Sequence, residues 1–158
     1  MQAPIITPCR GRFAPSPTGP LHFGSLVAAG GSFLDARSQG GVWLVRIDDL
    51  DRPRTVAGMA DDILRTLAAF GLAWDGEVVY QSRRDELYRA ALAELEKSGT
   101  VYACACSRKE IADSAIAHDG ALIYPGTCRT GLAPGKTARA VRLRVDEHTV
   151  RTIEFADG

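Results

Sequence analysis

The sequence predicts an α/β fold: a parallel, doubly wound sheet flanked by helices, with a small metal-binding insertion near its end. Three observations predict it. Short β-branched or apolar runs alternate with segments of helical period, and glycine or proline punctuates most junctions between them. The 158 residues also suffice for a buried core without a disulfide or metal to hold it.

Residues 10–14 (RGRFA) form a short candidate strand. The turn Pro15-Ser16-Pro17-Thr18-Gly19-Pro20 breaks it. A helical pattern runs from about His22 to Ser38, with Phe23, Leu26, Gly30, Phe33 and Leu34 on one face, and Gly40-Gly41 ends it. Residues 42–48 (VWLVRID) read as a buried strand. A second helix covers about Val56–Phe70, burying Ile63, Leu64, Leu67 and Phe70, with Gly71 as its left-handed stop. Val78-Val79-Tyr80 is extended, and a third helix over about Arg83–Ser98 presents Leu87, Ala91, Leu92 and Leu95. Val101-Tyr102-Ala103 is extended again, which completes the β-α-β-α-β-α-β order of a parallel sheet.

Ser107-Arg-Lys-Glu110 then reads as a capping box at the start of a short helix. An irregular stretch follows through Gly131. Residues 140–145 alternate, with Val141, Leu143 and Val145 on one side and Arg142 and Arg144 on a solvated side. A second alternating run, Val150–Phe155, predicts a hairpin partner. The chain stops at the turn-like Asp157-Gly158, so it is expected to be the N-terminal part of a longer protein.

Composition excludes several classes. Hydrophobic residues make up 46% and charged residues 24%, which excludes a disordered chain. Nineteen basic residues balance nineteen acidic ones, which excludes a uniformly basic nucleic-acid module. Only Arg129–Arg151 leans basic, enough for a local, salt-dependent contact with RNA. No apolar run is long enough to span a membrane and no secretory signal opens the chain, so a cytoplasmic monomer is expected. In that compartment thiols stay reduced, and four cysteines are not a disulfide framework. Cys9 reads as an ordinary buried thiol. The cluster of Cys104, Cys106 and Cys128 calls for a metal.

Two constellations carry chemistry. In the first, a strand end, a proline-stiffened turn and a glycine-flanked histidine at a helix start form a phosphate site. Free N–H groups and the positive helix end attract anions there, and Gly24 leaves room for a nucleotide. His22 is placed to hydrogen-bond a phosphate, and the alternative is a capped turn with an incidental histidine. In the second, Cys104-Ala-Cys106 and Cys128 offer three sulfurs to a tetrahedral ion, and the fourth position is open to His118, Asp119 or Tyr124. Histidine is the more usual zinc ligand, whereas a tyrosine must first lose its proton. The alternative is three small buried hydrophobes.

The run P-S-P-T-G-x-L-H-x-G resembles the signature region of class I aminoacyl-tRNA synthetases, in particular their glutamyl branch. Gly41–Asp51, Gly71–Gly76 and Gln81-Ser82-Arg83 resemble that branch in the same order, so the likeness covers about Gly11 to Arg144. It implies the N-terminal half of a Rossmann catalytic domain that activates L-glutamate with ATP, and with Mg2+, for transfer to a tRNA. It places the ATP-binding signature at Pro15 to Ser25, with His22, Gly24 and Ser25 as its catalytic members. It assigns Arg12, Phe13, Ala14, Pro15 and Ser16 to the glutamate pocket, where a planar guanidinium suits a carboxylate. Asp48 falls where the family usually has the glutamate that faces the substrate's amino group, and it is shorter by one methylene. Ser25 stands where the signature usually ends in histidine.

C-x-C followed by Y-x-x-x-C is similar to the zinc site of the shortened paralogues that attach glutamate to queuosine in the anticodon loop of tRNA(Asp). That likeness implies one structural zinc on Cys104, Cys106, Tyr124 and Cys128, and a queuosine-bearing tRNA(Asp) as partner. The expected organisation is a first half of the catalytic domain over 9–103, a zinc-binding insertion over 104–131 and an incomplete β region over 132–158. The alternatives are a discriminating glutamyl-tRNA synthetase fragment and a non-catalytic zinc module that recognises RNA or protein. The resemblance also implies a second, K-x-S-K-like ATP loop. No such run occurs before Gly158, so this stretch alone is expected to be inactive.

Overall fold

The structure, a computed structural model, describes residues 9–113 and 123–145. The element order is β1 (Arg10–Phe13), α1 (Phe23–Ser38), β2 (Val42–Ile47), α2 (Met59–Ala69), β3 (Val79–Tyr80), a 3-10 turn (Gln81–Arg83), α3 (Asp85–Lys97), β4 (Val101–Cys104), α4 (Arg108–Ala112) and β5 (Ala140–Leu143). The chain divides into two compact units, 1–86 and 87–158.

In the first unit, β1, β2 and β3 form a parallel sheet with β2 central. Residues of β2 alternate strictly. Trp43, Val45 and Ile47 are fully buried on one face, where they join Ala29 and Ala36 of α1 and Ile63 and Leu67 of α2. Trp43 anchors this core. Phe13 stacks on its ring at 6.4 Å, Phe33 meets it edge-on at 5.3 Å, and its indole N–H donates to Ser32 Oγ at 2.9 Å. Cys9 is half-buried against the same cluster. The other face carries Arg12, Leu44, Arg46 and Val79 around an open cavity of about 210 Å³.

Small residues bring α1 close to β1, and this revises the expected helix face. Phe23 is 81% exposed and Leu34 66%, whereas the alanines are fully buried. A Cβ on Gly11 would lie 2.9 Å from both Ala36 Cβ and the Ser32 carbonyl oxygen. At that approach, only alanine fits the helix face that meets the strand. Phe70 is likewise exposed, because α2 ends one residue before it and Gly71, at φ +72°, turns the chain away. In α3 none of the expected apolar residues is fully buried.

The second unit departs from the expected order at β4. Rather than extending the parallel sheet, β4 pairs antiparallel with β5, with Tyr102 opposite Arg142 and Cys104 opposite Ala140. The expected partner run Val150–Phe155 lies outside the described residues. The capping box forms as read, with Ser107 Oγ accepting from Glu110 N and the Glu110 carboxylate accepting from Ser107 N at 2.6 Å. Among the described residues, no helix is long and apolar enough to cross a membrane.

Candidate functional site

The three parallel strands end side by side, and the loops that leave them are stitched together. Asp48 N donates to the Pro15 carbonyl at 2.9 Å, and Val56 N donates to the Pro17 carbonyl at 2.9 Å. The Asp49 carboxylate accepts from Ser82 N at 2.8 Å and from Ser82 Oγ at 2.6 Å, fixing the loop after β2 to the turn after β3. Burial alone would raise the Asp49 carboxyl, but these two bonds outweigh it and hold its pKa below the ordinary value. The carboxyl ends of strands in an open parallel sheet are where ligands bind.

At this edge His22 is the N-cap of α1. Its Nδ1 accepts from Ser25 N at 3.2 Å, which puts the proton of the neutral ring on Nε2, 3.1 Å from Ser25 Oγ. A Cβ on Gly24 would lie 3.1 Å from the ring, so glycine is what lets the imidazole fold over the helix start. The polar groups His22 and Ser25 therefore meet at the positive end of a 16-residue helix. Both histidine nitrogens are already engaged by Ser25, a contact that the sequence did not predict.

The expected glutamate-pocket residues are only partly together. Ala14, Pro15 and Ser16 lie in the loop that touches Asp48, whereas the Phe13 ring is committed to the core against Trp43. Arg12 is exposed on the open sheet face and shares its cavity with Arg46, Glu77 and Arg84. The Asp48 carboxylate is held two-pronged by Arg46, at 2.6 and 2.9 Å.

Sequence reasoning also missed a hub at the other end of the strands, where α1 ends and β2 begins. Arg37, in the last turn of α1, donates to Asp75 Oδ2 at 2.7 Å, to the Gly41 carbonyl at 3.1 Å and to the Ala73 carbonyl at 2.9 Å. Asp75 also accepts from Trp43 N at 2.7 Å. The Arg37 bond and then the Trp43 bond hold its carboxyl below the usual range. A basic residue in a helix's last turn was the available signal, but it is too common to single out Arg37.

In the second unit the three thiols converge as the spacing predicted. Cys104, Cys106 and Cys128 Sγ all lie within 4.8 Å of one another. Tyr124 Oη completes the group, 3.4 Å from Cys104 Sγ and 3.9 Å from Cys106 Sγ. In a tetrahedral zinc site, bonds of about 2.3 Å to sulfur and about 2.0 Å to oxygen put S···S edges near about 3.8 Å and S···O edges near about 3.5 Å. The Cys106–Cys128 separation is 3.7 Å, so the donor set fits a tetrahedral dication in type and in spacing. His118 and Asp119 lie outside the described residues.

The protonation states of this cluster are skewed. Burial raises the Cys104 thiol, but the contact with Tyr124 and then the nearby Arg142 cation outweigh it and bring its pKa down to about 6. Burial and the bond to Cys104 push the Tyr124 phenol well above its ordinary value. Cys106 is raised as well, by burial and then by its bond to Cys128. In the metal-free protein Tyr124 is thus a neutral donor, and a cation is what would reverse that.

Over residues 8–124 the chain matches the family described as tRNA synthetases class I (E and Q), catalytic domain. It is 66% identical over 154 residues to "Glutamyl-Q tRNA(Asp) synthetase" of Dechloromonas aromatica, covering 96% of this chain and 51% of that relative. A relative of the same name from Chromobacterium violaceum is 66% identical over 138 residues, covering 87% of this chain and 46% of its own. The chain thus spans about half the length of the curated relatives it matches. Among solved structures it is similar to a glutamate tRNA ligase of Elizabethkingia meningosepticum in complex with its amino acid, at 32% identity and a TM-score of 0.62. That likeness covers 68% of this chain and 23% of the other. With the proline turn and the histidine cap at the carboxyl edge of a parallel sheet, and the match running through both, the chain belongs to the glutamyl and glutaminyl (E and Q) family of class I tRNA synthetases.

Proposed function

We propose that this chain is the N-terminal half of the catalytic apparatus of a ligase that activates L-glutamate with ATP and passes it to queuosine in tRNA(Asp). The observation that carries this reading is the 66% identity, over 96% of the chain, to a relative named for that activity. In the first step a glutamate carboxylate oxygen attacks the α-phosphorus of ATP in line, a P–O bond forms, and the P–O bond to pyrophosphate breaks. In the second, the acyl group passes from the adenylate to the tRNA and AMP leaves. This chemistry depends on positioning and charge stabilisation more than on proton transfer.

The residues divide the work accordingly. His22 offers its Nε2–H to a phosphate oxygen in place of Ser25 Oγ, at the helix end where anions are favoured. Arg12 pairs with a glutamate carboxylate, and Ser16 adds a hydroxyl donor. Asp48, held by Arg46, faces the substrate ammonium, its missing methylene made up by a water or a small shift of the substrate. Cys104, Cys106, Cys128 and Tyr124 would hold one zinc ion, which would cross-link the β4–β5 unit as a structural centre. The protein would work in the cytoplasm, with Mg2+ accompanying ATP.

The deciding experiment measures glutamate transfer by the full-length gene product to tRNA(Asp) with and without queuosine, and to tRNA(Glu). Transfer only to queuosine-bearing tRNA(Asp) is expected. Equal charging of tRNA(Glu) would favour the second reading, a discriminating glutamyl-tRNA synthetase, for which the similarity to solved glutamate tRNA ligases speaks.

A further inference from the structure

On the face of the β4–β5 ribbon that was expected to be solvated, Arg144 is exposed, whereas Arg142 is only half-exposed. The apolar face is open too, with Leu143 60% exposed and Val141 47%. Each of the two arginines stacks on a tyrosine. The Arg144 guanidinium lies over the Tyr102 ring at 5.2 Å, and that of Arg142 lies over the Tyr124 ring at 3.9 Å. The antiparallel register explains the reach. Arg142 sits directly opposite Tyr102, so Cys104, two residues along β4, is its diagonal neighbour on the same face. One cation thus lies over Tyr124 and diagonally beside Cys104, two of the four groups in the candidate metal centre.

Charge explains why a cation belongs there. Three thiolates and a phenolate around a dication leave the centre net negative, with Cys104 and Cys128 buried and Cys106 and Tyr124 half-buried. Arg142 Nε is buried with no hydrogen-bond partner among the described residues. Burying part of a guanidinium in that way is unfavourable unless negative charge lies close by. A planar cation stacked on a phenol ring also restrains the ring. A lysine's compact ammonium could supply the charge but not the flat stack.

We propose that Arg142 is the outer-sphere cation of this metal centre, a positioning residue that fixes the Tyr124 ring and offsets the charge of the ligand set. The proposal rests on reading the cluster as a zinc site. Partners in the second shell typically change metal affinity by about 10- to 100-fold when removed.

The test compares zinc affinity, by competition with a chromophoric chelator, for the unmodified protein, Arg142→Met, Arg142→Lys and Arg144→Met. Each protein is also loaded with Co2+ and its visible spectrum recorded. Arg142→Met is expected to bind zinc about 10- to 100-fold more weakly, with the Co2+ bands shifted. Arg142→Lys should fall between it and the unmodified protein. Arg144→Met removes the same kind of stack from Tyr102, which is no ligand, and should keep both affinity and spectrum. Equal losses in Arg142→Met and Arg144→Met would reduce the effect to ribbon packing and overturn the proposal. If Arg142→Met does not fold, Arg142→Lys decides, and unmodified affinity and spectrum in that variant overturn the proposal. Unmodified protein that binds no zinc would instead remove the zinc reading itself, and the proposal with it.

Discussion

Asp75 shows how one carboxylate can organise a whole sheet edge. It ties the end of α1, through Arg37, to the start of β2, through Trp43 N. Its pKa is depressed on folding, as is that of Asp49, so the unfolded chain binds more protons than the folded one in moderate acid. The stabilisation is therefore complete above about pH 5, where the unfolded carboxylates are already ionised. It is lost as pH falls through the lower folded values. Urea midpoints measured from pH 7 downwards should drop in acid for the unmodified protein and less steeply for Asp75→Asn. Parallel acid limbs would show that Asp75 is not the linked group. A second residue-scale outcome concerns the fourth zinc donor. One zinc per chain is expected, and Tyr124→Phe should lose metal to a chelator sooner, while His118→Ala should not. The reverse ranking would make His118 the ligand. The thiol cluster was legible because two cysteines two residues apart and a third downstream leave few alternatives. Arg142 was not legible, since an arginine in an alternating strand reads as solvated unless the register opposite it is known.

At the scale of elements, the sequence located the major helices and strands among the described residues but misjudged which helix face is buried. Size misled it. Phe23 and Leu34 look like core residues, yet Gly11 lets α1 come so near β1 that the small Ala36 and the Ser32 backbone meet it directly. Gly11→Ala should therefore force α1 outward and destabilise the first unit by about 1–3 kcal/mol, the usual cost of overfilling a packed contact. Chemical denaturation would measure it. A neutral result would mean that the helix and strand are not packed as tightly as their geometry indicates. β4 was misplaced for a different reason. A four-residue apolar strand carries no mark of the sheet it joins, and only the pairing with β5 decides that it leaves the parallel order.

At the scale of the whole molecule, the charge balance that seemed to exclude RNA describes only a part of the length its relatives have. The residues present supply a histidine-capped helix end, a two-pronged Arg46–Asp48 pair and a three-cysteine cluster with Tyr124 beside it. Phosphoryl transfer, however, needs charge stabilisation on more than one side of the triphosphate. Within these residues, the proposed α-phosphate contacts come from the turn after β1, and no lysine-rich K-x-S-K-like run occurs anywhere in the 158 residues. A polypeptide of these residues alone should therefore show no glutamate-dependent ATP–pyrophosphate exchange, whereas the full-length gene product should. It should still bind zinc, because all four proposed ligands lie within the second compact unit. Exchange by the short polypeptide would mean that Arg12, His22 and Asp48 suffice for activation and that the division of labour proposed here is wrong. Zinc binding without exchange would separate the two units by function, the metal serving the fold of one while adenylate formation requires more than the other supplies.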